Sequence, residues 1–66
     1  MDIILYSTGC PRCKQLEKKL KDKGIEYTEV TDVNKMIEIG LVEVPVLEVN
    51  DERLDYQRAL HWANGI

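Results

Sequence analysis

Between its first residues and position 30 the chain changes hydrophobic period twice, and that succession constrains the fold more than any other feature. Ile3, Ile4, Leu5 and Tyr6 form a short apolar run of the kind expected for a buried strand, and the breakers Ser7, Thr8 and Gly9 end it. From Pro11 to Lys23 the apolar positions Cys13, Leu16 and Leu20 recur at helical spacing. Pro11 stands where a first-turn proline is tolerated, and Gly24 follows a lysine-rich last turn as a stop. Residues 25–30 then set Ile25, Tyr27 and Val30 among Glu26, Thr28 and Glu29, a second strand. Strand, helix and strand in this order predict a right-handed parallel crossover.

The rest of the chain extends the pattern. Thr31 or Asp32 caps a short helix in which Val33, Met36 and Ile37, with Gly40 after them, define one face. Residues 45–49 read as a strand, 50–52 as a turn and 53–54 as a short returning strand, which makes a hairpin. Asp55 fits the N-cap of a last helix whose Tyr56, Ala59, Leu60 and Ala63 share a face, with Gly65 just past its end. The expected order is βαβαββα. With 66 residues the chain has material for one core only, burying about 60% of its unfolded surface, so residues 1–66 are read as a single domain.

Cys10 and Cys13, the only two cysteines, stand at the first strand-to-helix junction in the sequence Cys-Pro-Arg-Cys. A pair this close in sequence closes too short a loop to restrain the unfolded chain much, so it is a poor structural staple. It is well placed for thiol-disulfide exchange. The first cysteine of such a pair sits at the helix cap, where free N–H groups and the positive helix end stabilise a thiolate, while the second lies one turn inside. Cys10 is therefore the expected nucleophile and Cys13 the resolving thiol, which attacks the mixed disulfide at Cys10 and leaves an intramolecular disulfide. Arg12 and Lys14 add positive charge nearby, screened by salt.

Other chemistries have less to stand on. A structural zinc site wants four protein ligands, and the single histidine, His61, has no ligand partner at metal spacing. No metal is expected within one chain, although two chains together would offer four thiolates to a metal or an iron-sulfur cluster. The net charge of −3, with Lys and Glu mixed along the sequence, lacks the basic stripe of a nucleic-acid binder. No apolar stretch approaches the roughly 20 residues of a membrane span, and residues 1–6 are too short and too acidic for a signal peptide. The expectation is a cytoplasmic protein, where a close Cys pair is catalytic or metal-binding rather than structural.

Val44-Pro45 is the second signal. Beside a Cys-x-x-Cys helix, a cis proline at the start of a strand would face the thiols and leave the Val44 backbone open to β-type pairing with a substrate peptide. Taken together, Leu5-Tyr6-Ser7-Thr8 leading into Cys10-Pro11-Arg12-Cys13, then Val44-Pro45-Val46-Leu47 and Leu54-Asp55-Tyr56, resemble the glutaredoxin and thioredoxin superfamily over nearly the whole chain. The likeness is greatest to its short glutaredoxin-like branch of bacteria and phages. The resemblance implies an α/β thioredoxin-like fold of glutaredoxin type, with a four-stranded mixed sheet flanked by helices on both faces. It also implies cis geometry at Pro45 and Cys10 as nucleophile.

It further implies a monomer without a tightly bound cofactor, with glutathione as co-substrate and disulfide-bearing proteins as partners. Val44 would supply backbone pairing and Asp55 would accept the glutathione ammonium, with Lys14 or Lys35 as carboxylate partners and Arg12 beside them. Two departures bear on the reductant. Residues 6–9 hold no lysine for a glutathione carboxylate, and residues 51–55, Asp-Glu-Arg-Leu-Asp, lack the glycines that let the backbone approach the tripeptide. An N-cap is the plainer role for Asp55. The rival within the same chemistry is an electron donor to ribonucleotide reductase, reduced by thioredoxin reductase, as in the NrdH-redoxin branch. The rival outside it is a dimeric metal or cluster carrier.

Several residues have plain readings. Tyr6 is taken as core or rim packing, Trp62 as a half-buried helix residue and His61 as solvated. Lys18, Lys19, Lys21 and Lys23, interrupted by Glu17 and Asp22, read as a solvated face.

Overall fold

A computed structural model describes residues 2–65. Its elements are β1 (Ile3–Tyr6), α1 (Pro11–Asp22), β2 (Thr28–Val30), α2 (Val33–Glu38), β3 (Val46–Val49), β4 (Glu52–Leu54) and α3 (Tyr56–Asn64), the βαβαββα order expected from the sequence. The four strands make one mixed sheet in the order β2-β1-β3-β4. β1 runs parallel to β2, with Tyr6 opposite Val30, and antiparallel to β3, with Tyr6 opposite Val46. β4 returns antiparallel to β3, with Leu54 opposite Leu47.

Because side chains alternate across a strand, this register sorts the apolar residues onto two faces. Ile3, Leu5, Leu47 and Leu54 meet Leu16 and Leu20 of α1 and Ala59 and Ala63 of α3 in the larger core, where both alanines are fully buried. Tyr6 and Val46 point the other way and pack with Met36 of α2, supported by Ile4, Val30, Ile39, Leu41 and Val44. Helices thus cover both faces, two on one and a short one on the other.

Boundaries moved where helix ends consumed residues assigned to strands. Gly24, at φ +68, donates to Lys21 O and Ile25 N–H reaches back to Leu20 O at 2.9 Å. This pair of bonds satisfies the last carbonyls of α1, with Ile25 packing toward Leu20 as the apolar closure. Ile25 therefore belongs to the end of α1, and β2 begins at Thr28 rather than at residue 25. α2 ends in the same way, with Gly40 N–H on Ile37 O and Leu41 N–H on Met36 O at 2.8 Å, so Gly40 is the stop and not part of a packing face. The expected apolar face of α2 is also narrower than its sequence suggests. Met36 is buried, whereas Val33 and Ile37 are 52% and 66% exposed.

The cap of α2 is Asp32, whose carboxylate accepts from Asn34 N–H and Lys35 N–H. Strand β3 starts at Val46, one residue later than expected, and the hairpin turn is Asn50-Asp51, both at positive φ (49° and 70°) as a tight two-residue hairpin requires. No helix among the described residues is long and apolar enough to cross a membrane.

Candidate active site

The register places three loops at one end of the sheet. The segment after β1 carries Cys10, the segment before β3 carries Val44 and Pro45, and the residue after β4 is Asp55. Since β2 is parallel to β1, Asp32 and the start of α2 lie at that end as well. All three helices begin there, so their unpaired N–H groups and positive ends face one edge of the molecule.

Cys10 is the N-cap of α1. Its backbone is extended (φ −67°, ψ 165°), its carbonyl accepts the first helical bond from Lys14 N–H at 2.9 Å, and its Sγ accepts from Cys13 N–H at 3.2 Å. The sulfur stands where Ser, Thr or Asp would normally put an oxygen. Pro11 follows at the first helical position, whose amide would have no helical partner. Cys10 is half-buried, and Cys13, one turn inside on the face toward the sheet, is fully buried; both are free thiols.

This placement separates the two thiols. The Cys13 thiol donates to the Cys10 sulfur and holds its pKa below the ordinary thiol value; N–H groups of Cys13, Arg12 and Cys10 add to the effect against partial desolvation. For Cys13 burial comes first and pushes the pKa up, with the bond to Cys10 acting in the same direction and the Thr8 N–H opposing it. Of the two sulfurs, the more accessible one, Cys10, is therefore the more readily ionised. With this arrangement, attack by a Cys10 thiolate on a disulfide would break that bond, expel one thiolate and form a mixed disulfide. Cys13, on losing its proton, would attack Cys10 Sγ, expel the second thiolate and leave a Cys10–Cys13 disulfide. Two electrons would pass from the dithiol to the target, whose two thiolates would take up two protons.

The remaining sequence candidates are distributed unequally. The Val44-Pro45 peptide bond is cis and Pro45 is buried. Val44 shares a shallow apolar groove with Thr8 of the active loop and with Met36, Ile37 and Val42. Asp55 caps α3, its Oδ1 accepting Arg58 N–H at 2.8 Å. The Arg12 guanidinium lies over the Tyr56 ring, 5.5 Å from the centroid. Lys14 and Lys35 are exposed, on α1 and α2 respectively. Tyr6 is buried in the smaller core, Trp62 is half-buried and His61 exposed, in line with their plain readings.

Sequence reasoning missed two side-chain groups that meet α1. Tyr56 O–H donates to Gln15 Oε1 at 2.6 Å while its ring carries Arg12, so one residue of α3 grips two positions of α1. The i, i+3 spacing of Arg12 and Gln15 was readable, but nothing local names their partner. On the other side of α1, Glu17 is hydrogen-bonded to Glu29, which also accepts from the buried Ser7 hydroxyl at 3.2 Å. Among the described residues no group of three or more His, Cys, Asp or Glu side chains forms a metal-binding cluster.

No family model matches the chain. A protein named thioredoxin from Methanothermobacter thermautotrophicus is 36% identical to it over 58 residues, an alignment that spans 79% of this chain and 75% of the relative.

Proposed function

The chain belongs to the thioredoxin superfamily, a relationship that makes it a thiol-disulfide oxidoreductase, and we propose that it is a glutaredoxin-like dithiol reductase of protein or glutathione mixed disulfides. The observation that carries this reading is the asymmetric pair: a half-buried Cys10 sulfur capping α1 with its pKa lowered, and a buried Cys13 with its pKa raised. Exchange needs that inequality, because the nucleophile must be ionised and reachable while the resolving thiol waits.

The groove beside Val44 supports a protein as substrate. Ile37 and Val42 are 66% and 95% exposed there, an apolar surface that a polypeptide next to the reacting disulfide would cover. In this reading Val44 offers its backbone to the partner and Arg12 and Lys14 meet acidic groups flanking the disulfide. No tightly bound cofactor is required, and a monomer in a reducing cytoplasm suffices.

Two observations favour a second reading for the reductant. The one Asp55 oxygen with an assigned partner is occupied as a helix cap, and residues 7–9 offer no cation for a glutathione carboxylate. Both suit a donor to ribonucleotide reductase reduced by thioredoxin reductase, the NrdH-redoxin type.

The deciding experiment follows NADPH consumption during reduction of a small disulfide, with either glutathione and glutathione reductase or thioredoxin reductase as electron source. Turnover with glutathione alone is expected of a glutaredoxin, and turnover with thioredoxin reductase alone moves the protein to the second reading. Silence in both with thiols confirmed reduced would overturn the reductase and point to two chains sharing a metal or cluster through four thiolates.

A further inference from the structure

The first turn of α1 supplies the N–H groups on which the Cys10 sulfur depends; the buried Cys13 anchors its inner side, and its outer side is exposed. It follows three loop residues, Ser7 to Gly9, with Gly9 at φ +81, and its second residue, Arg12, is exposed. Helix ends fray when nothing outside the helix holds them. On the outer side of this one, the contact comes from Tyr56, the first residue of α3.

Tyr56 is itself fixed from two sides. Its ring packs partly buried against the larger core, and the turn in which it sits is closed by the Asp55 carboxylate on Arg58 N–H at 2.8 Å. From that base it reaches α1 at two positions three residues apart, which share a helix face. The Arg12 guanidinium rests on the ring at 5.5 Å, and the hydroxyl donates to Gln15 at 2.6 Å. One contact falls between the two cysteines and the other just after them.

We propose that Tyr56 is a positioning residue for Cys10: from α3 it clamps the first turn of α1, through Arg12 and Gln15, and so keeps the Arg12 and Cys13 N–H groups aimed at the attacking sulfur. The same contact keeps the Arg12 cation on an aromatic face, where a guanidinium is stabilised. The thiolate is thereby held by amides and by the Cys13 thiol, and the Arg12 cation is committed elsewhere. The groups that bear on the sulfur are the Cys13 thiol and the N–H groups of Cys10, Arg12 and Cys13.

The inference rests on Cys10 being the attacking thiol, as proposed above. Its test reads the thiol directly, through the pH dependence of Cys10 alkylation by iodoacetamide in the reduced protein, with mass spectrometry to identify the modified cysteine. Tyr56→Leu keeps apolar bulk and cuts both ties, and the midpoint of its profile is expected to rise by about half to one pH unit, roughly a three- to tenfold loss of thiolate at a pH below the midpoint. Tyr56→Phe and Gln15→Leu remove the two ends of one hydrogen bond. Each should give the same smaller rise, and the double variant no more than either alone.

An unchanged or lowered midpoint in folded Tyr56→Leu would overturn the clamp, the latter by showing that a freed Arg12 moves to the sulfur. Additive shifts in Tyr56→Phe/Gln15→Leu would overturn the route through Gln15. If Tyr56→Leu fails to fold, the Phe and Gln15 variants still decide, because no shift in either removes that tie. Alkylation needs no reductase. A protein silent in both turnover assays with the expected shifts would lose the proposed function and keep the clamp, and one with turnover but no shift would do the reverse.

Discussion

At Cys10 one sulfur atom caps a helix and, in the proposed function, attacks a disulfide, and the two duties can be separated by a single atom. In Cys10→Ser an oxygen, a better cap acceptor than sulfur, takes the bond from Cys13 N–H, so the fold should be kept or slightly strengthened. Disulfide reduction should vanish, since no other nucleophile stands at that position. Turnover assays beside a thermal melt check the pair of outcomes, and full activity in a folded Cys10→Ser would reverse the assigned roles. Cys13→Ser should instead stall as a mixed disulfide at Cys10 that mass spectrometry can detect, with only monothiol exchange remaining. The positions of both cysteines were legible because a strand-to-helix junction is written in local spacing. That the sulfur would lean on the Cys13 thiol more than on the helix end was not, because it depends on how deeply Cys13 is buried.

Between elements, α1 and β2 meet through two carboxylates. The Glu17 pKa is raised first by its hydrogen bond with Glu29, then by burial and by the Glu29 charge, with Lys21 and Tyr27 acting in the opposite sense. Tyr27 is raised as well, by burial and by these two acids. A carboxyl whose folded pKa lies above its unfolded one contributes stability that is complete below the unfolded value, near 4.3, and lost as pH rises through the folded value. Glu17→Gln keeps a neutral donor toward Glu29. It is expected to leave stability unchanged at acidic pH and raise it at neutral pH by on the order of a few tenths of a kcal/mol, the scale of an exposed like-charge pair. Urea unfolding at the two pH values tests this; an equal change at both would mean that the effect is not electrostatic. The sequence showed both glutamates and no reason to join them. The late start of β2, in contrast, was legible in principle, since glycine followed by an apolar residue after a helix marks the closure that takes Ile25 out of the strand.

For the molecule as a whole, stability and function depend on the same central strands. Leu47 is fully buried between Leu5-bearing β1 and Leu54-bearing β4, beneath α1 and α3. A domain of this length has a total stability of roughly 3–10 kcal/mol. Leu47→Ala should remove roughly 2–5 kcal/mol of it, enough to leave a substantial unfolded population without denaturant. Urea unfolding followed by circular dichroism measures the loss, and a change below about 1 kcal/mol would mean that neighbouring side chains refill the space. The order β2-β1-β3-β4 also gathers the Cys10, Val44 and Asp55 loops, although they are far apart in sequence, at the end where all three helices begin.

The sequence by itself determined the succession of elements, the alternation that sends Leu5 and Tyr6 to opposite faces, the stop at Gly24, and a cysteine at the mouth of a helix with its partner one turn inside. These are local properties, set by periods of two and 3.6 residues and by backbone conformations that few residue types adopt. Only the tertiary structure decided that Arg12 lies on Tyr56, that Asp55 spends an oxygen on its own helix, that Glu17 meets Glu29, and that Val33 and Ile37 stay exposed. Each of these is a contact between elements whose relative placement follows from sheet order and packing, and pairwise side-chain energies of about 1 kcal/mol leave no trace in the spacing of residues along a chain.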